Sequence, residues 1–123
     1  MPFLRCLLVC VAAAPLLVAL APPRYRIDNI VNKNTLTDED SKRITQYATG
    51  WAEALQTTDT TDLFSARQRL ISPLENENDM SPYVRSVYCS GVLDGVEPLL
   101  SAENTNEMGL VNALQVLSVI GNE

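Results

Sequence analysis

Acids are the most numerous ionisable residues in this chain. Glu75, Glu77 and Asp79 alternate through the polar stretch ENENDMS, a spacing that can present carboxylates to calcium. An EF-hand loop counted from Glu75 would need glycine where Met80 stands and a bidentate acid where Ser86 stands, so the stretch reads as a solvated loop. Asp38, Glu39 and Asp40 read as helix-start acids, and Asp59 and Asp62 as capping residues. Paired carboxylates do acid–base work across a cleft, but no spacing here sets two of them across one. Histidine is absent from the chain, which removes the usual general base and the usual transition-metal ligand. Cys89 therefore has no imidazole to activate it, and between Tyr88 and Ser90 it reads as a small buried hydrophobe. Trp51 and Tyr47 share a helical face and read as core anchors rather than a ligand platform. The glycines Gly50, Gly91, Gly95, Gly109 and Gly121 lack the spacing of a phosphate loop. The expectation is a non-enzyme with no catalytic, metal or cofactor residues.

Four helices position these side chains. Thr37 caps the first, in which Ile44, Tyr47, Ala48, Trp51, Ala52 and Leu55 step by three and four along one face. Gln56-Thr57-Thr58 ends it. The second starts near Thr60 or Thr61 and buries Leu63, Ala66, Leu70, Ile71 and Leu74, with Ser72-Pro73 expected to break or kink it. Ser81-Pro82 opens the third, a capping serine before a proline at the first helical position. Its stripe includes Val84, Val87, Tyr88, Val92, Val96 and Leu99, and Gly91 and Gly95 on one face let another backbone approach. Asn104 and Glu107 have capping-box spacing for the fourth helix, Met108 to Ile120, with Gly121 as its stop. The fourth is apolar around most of its circumference, so it must be covered on several sides.

The second and third helices together span residues 60–101, the period of a HEAT or armadillo pair. The stretch Asn112-Ala113-Leu114-Gln115-Val116-Leu117-Ser118-Val119-Ile120-Gly121 resembles the first helix of a HEAT repeat, and Val96-Glu97-Pro98-Leu99-Leu100 resembles the close of a second helix. The resemblance covers residues 60–121, and the 75–81 loop is longer than the tight turn of a HEAT pair. It implies a stack of antiparallel helical hairpins. A repeat stack needs a last helix with a polar outer face, and here the last helix is the least polar. Three outcomes follow: a piece of a longer solenoid, a helix sandwiched in a small bundle, or a helix packed on a second copy.

Ahead of these helices, Met1–Arg5 carries one positive charge and Cys6–Ala21 is an uninterrupted apolar run of sixteen residues. A basic start before an apolar run is the export pattern. Ala19 and Ala21 suit a signal peptidase, whereas Pro22 after the bond does not, so cleavage and retention as an anchor through residues 3–21 both stay open. Residues 22–36, opened by Pro22-Pro23, read as a linker whose Tyr25, Ile27, Ile30 and Val31 could dock on the domain.

Beyond residue 21 the chain carries eight basic against fifteen acidic residues, a net charge of −7, and the basic residues are scattered. Nucleic-acid binding needs them clustered, so it is excluded as an expectation. One cysteine in this part excludes an internal disulfide. The sequence thus predicts an all-α protein in three parts: a signal or anchor helix over 1–21, a linker over 22–36 and a helical domain over 37–123. Its expected role is an extracytoplasmic, secreted or membrane-tethered scaffold that binds a protein partner or itself through the last helix, with Leu110, Leu114 and Leu117 at the contact. The alternatives are a small extracytoplasmic ligand-binding bundle and the N-terminal piece of a larger enzyme.

Overall fold

A computed structural model describes residues 26–75 and 80–121. Four α-helices occur there: α1 (Asp38–Ala54), α2 (Thr60–Glu75), α3 (Pro82–Leu100) and α4 (Glu107–Gly121). No strand occurs among the described residues. The expected leader over 1–21 lies outside them, as do Glu77 and Asp79 of the polar loop. No described helix is long and apolar enough to cross a membrane.

Local chemistry starts each helix. The Thr37 hydroxyl accepts from the Asp40 N–H at 3.1 Å, and the Asp40 carboxylate accepts from the Thr37 N–H at 3.2 Å. These reciprocal bonds satisfy donors that every helix start leaves open. Asp59 caps α2 by accepting from the Asp62 N–H at 2.9 Å, so Asp62 is a first-turn residue rather than a cap. Ser81 caps α3 ahead of Pro82, as its spacing predicts. For α4 the cap is Asn106, not Asn104: the Asn106 side-chain oxygen accepts from the Gly109 N–H at 2.9 Å. Asn104 instead accepts from the Asn106 N–H at 3.0 Å, which turns the chain into the cap. Gly121 ends α4 as its last helical residue, and no described glycine has a positive φ, so the expected left-handed stop does not form there.

The crossing of α1 and α3 is the main packing contact, and α2 lies chiefly against α1 and α4. Small residues make that crossing close. A Cβ added to Gly95 would lie 2.5 Å from the Ala52 Cβ and 2.8 Å from the Thr49 carbonyl oxygen. The Thr49 hydroxyl donates to the Gly91 carbonyl at 3.2 Å across the same seam. Such close approach brings many weak dispersion contacts to their optimal distance. Helices α2 and α3, which the HEAT resemblance would pair, are not each other's main partners.

Pro73 does not break α2, which continues to Glu75. A helical proline leaves the carbonyl four residues earlier without its donor. That carbonyl belongs to Arg69, and the Tyr47 hydroxyl of α1 donates to it at 3.1 Å. The next carbonyl, Leu70, receives the buried Tyr88 hydroxyl of α3 at 2.7 Å. Two tyrosines from two helices therefore hold the proline-disturbed turn.

Residues 26–36 pack on the helices. Ile27 and Ile30 are 2% and 1% exposed and belong to the same core as Ile44, Tyr88 and Val92. Val31 accepts from the Ser81 N–H at 2.8 Å, and the Lys33 carbonyl accepts from the Ser81 hydroxyl at 2.5 Å. Lys33 also pairs with Asp40 at 2.9 Å. Ser81 thus caps α3 and fastens the preceding segment with one side chain.

Candidate interaction surface

The surface of interest is the outer side of α4, and the way its start is fixed decides which residues face outward. The Asn106 carboxamide that caps α4 also donates to the Gln56 carbonyl at 2.8 Å, just beyond the end of α1. A Cβ on Gly109 would sit 2.6 Å from the Leu55 carbonyl oxygen, so the first turn of α4 lies directly on the end of α1. On the α2 side, the Arg67 guanidinium donates to Asn112 at 3.0 Å and to Gln115 at 2.6 Å.

These anchors turn the smallest residues inward. Gly109, Ala113 and Val116 form the buried line of α4. Leu117, Val119 and Ile120 are half-buried and pack against the core. Met108, Val111 and Leu114 are 44%, 52% and 51% exposed. Of the three leucines singled out in the sequence, Leu114 faces solvent, Leu110 is half-buried and Leu117 lies on the core. Val111 and Met108 extend the exposed apolar surface beyond them. The signal for this was the Gly109–Ala113 pair at i and i+4, a place for close backbone approach that a count of large apolar residues passes over. Between Met108 and Gly121 no side chain is ionisable.

The other candidate chemistry is dispersed. Cys89 is half-buried on α3, and burial pushes its thiol up despite the opposing influence of Arg85, so less of it is thiolate. Asp40 is a structural partner of Lys33 and the α1 cap; the hydrogen bond from Lys33, then that from the Thr37 backbone, holds its carboxyl below the ordinary value. Trp51 meets Tyr47 edge-on at 6.5 Å, and both pack on the core. Among the described residues, no three His, Cys, Asp or Glu side chains converge on a position suited to a metal ion. Comparison with protein-family models, curated proteins and solved structures returned no match.

Proposed function

We propose that this protein is a non-enzymatic helical interaction module, exported or held at a membrane by residues 3–21, whose four helices form a small bundle that associates through α4. The observation that carries the reading is the exposed apolar run Met108, Val111 and Leu114 on a helix whose opposite side is already committed to the core. Dispersed carboxylates, a half-buried thiol and the lack of histidine support a non-catalytic role. The basic start and apolar run of the first 21 residues support export or anchoring.

The occupant this face favours is a second copy of the chain. Most of the molecule carries negative charge and repels its like, whereas the stretch from Met108 to Gly121 carries none. Two such faces related by a twofold axis would pair apolar with apolar. Sedimentation velocity of the full chain in detergent micelles tests this. A dimer is expected, and Leu114→Glu should convert it to monomer with helix content unchanged. A monomer at every attainable concentration would remove the self-association reading; a dimer indifferent to Leu114→Glu would move the contact off α4.

A further inference from the structure

Residues 27–32, Tyr47 of α1 and the end of α2 line an open cleft of about 390 Å³. That lies at the lower end of the range for small-molecule sites. Its apolar lining includes Ile27, Val31 and Pro73. Its polar lining includes one cation, Arg69, and one anion, Asp28, with Asn32 and the Tyr47 ring beside them. The two charges do not form an ion pair, and neither side chain hydrogen-bonds to another described residue. Burial pushes the Tyr47 hydroxyl above the ordinary tyrosine value, with Arg69 acting against that rise and Asp28 adding to it.

The walls of the cleft are held in place. The exposed Arg69 guanidinium lies 5.9 Å from the Trp51 ring centroid, a contact that leaves its fork of donors open to a ligand. The Tyr47 hydroxyl is fixed to the Arg69 carbonyl that Pro73 leaves open. The segment carrying Asp28 is locked by the burial of Ile27 and Ile30 on either side of it.

From this arrangement we infer that the cleft binds a small zwitterion of the amino-acid type, its carboxylate on Arg69, its ammonium on Asp28 and its apolar body against Val31 and Pro73. Charge selects this class. A free phosphate would meet Arg69 but be opposed by Asp28, and a simple amine would meet Asp28 but be opposed by Arg69. Only a ligand with both signs answers both groups. A guanidinium accepts a carboxylate through two parallel hydrogen bonds, which fixes orientation as well as charge.

The test uses the full chain in detergent micelles and needs no knowledge of a natural ligand. Saturation-transfer NMR reports binding of L-leucine and of the dipeptide Leu-Leu, whose charges lie further apart. The comparison ligands are 4-methylpentanoate, isoamylamine and inorganic phosphate. One zwitterion should bind saturably, with each singly charged analogue weaker by about tenfold or more. The emission of Trp51, the sole tryptophan, should shift with the same midpoint because the ligand engages the guanidinium beside it. Arg69→Gln and Asp28→Asn should each abolish binding, and Lys42→Gln should leave it intact. The analogue series on the unaltered chain decides the matter even where a variant unfolds. Equal binding of leucine and 4-methylpentanoate, preferential binding of phosphate, or no saturable binding of either zwitterion would overturn the inference.

Discussion

Tyr88 is the largest fully buried side chain of the core, and its hydroxyl has one partner, the Leu70 carbonyl. Burial pushes its ionisation above the ordinary tyrosine value, which favours the neutral hydroxyl that donates to Leu70. Replacing it with phenylalanine keeps the ring and removes the hydroxyl's bond to the Leu70 carbonyl. Tyr88→Phe should lower the unfolding free energy by roughly 0.5–1.5 kcal/mol, read as a shift in urea midpoint at constant slope. Asp40 behaves differently because it is charged. Its folded carboxyl is held below the unfolded value, so the stability it contributes is present above that unfolded value, near 3.8. The contribution is lost as pH falls through the lower folded value. Asp40→Asn should therefore lower the melting temperature at neutral pH and bring the variant and the unaltered chain together under acid. A constant difference down to the acid limit would show that Asp40 acts through packing alone. Thr37 and Ser81 were legible in the sequence because a cap acts over three residues of chain. Tyr88 meeting Leu70 and Asn106 meeting Gln56 were not legible, since those pairs form only once helices cross.

At the scale of the element, the α1–α3 crossing turns on two glycines that differ in the space around them. At Gly95 an added Cβ meets the Thr49 carbonyl at 2.8 Å and the Ala52 Cβ at 2.5 Å, atoms that cannot swing aside. At Gly91 the nearest atoms are the Ala48 Cβ at 3.0 Å and the Thr45 carbonyl at 3.4 Å, so a small adjustment suffices. Alanine improves helix propensity over glycine by about 1 kcal/mol, while overpacking costs about 1–3 kcal/mol. Gly95→Ala should therefore be net destabilising and Gly91→Ala close to neutral, whereas Gly121→Ala, with nothing within 4 Å, should stabilise or change nothing. Thermal melts of the three variants check the order; equal effects at Gly91 and Gly95 would mean the crossing is looser than its geometry. The sequence showed that Gly91 and Gly95 invite a neighbour but not which one. Helical period alone suggests that α2 and α3, adjacent in the chain, should pair. The alanine and threonine positions of α1 complement the glycines better than the bulkier face of α2 does, so α1 takes the place beside α3.

For the whole molecule, four helices and their order were readable because amphipathic period and caps are local properties. The extent of the core was harder to read. Residues 22–36 carry no helical period, and Ile27, Ile30 and Val31 are interleaved with Asp28, Asn29 and Asn32. Yet Ile27 and Ile30 are buried in the same core as helical Ile44, and Ser81 ties the segment to the start of α3. The outer face of α4 was legible in kind but not in register, because Gly109 and Ala113 turn inward and carry Leu114 and Val111 out. Burying one isoleucine side chain contributes about 1.5–3 kcal/mol, and small domains are stable by only about 5–15 kcal/mol. Removing both isoleucines therefore takes a large share of the total. A chain beginning at Arg26 should unfold cooperatively in urea. One beginning at Thr37 loses both isoleucines, the Lys33–Asp40 pair and the acceptor of the Ser81 hydroxyl together. It should melt at much lower denaturant with a reduced slope and bind an apolar-surface dye, even though all four helices remain in its sequence. Coincident urea curves for the two chains would mean that the helices alone define the domain and that the docked segment only rests on it. If the curves separate, residues 26–36 are part of the cooperative unit that the four helices form, because their isoleucines complete its core.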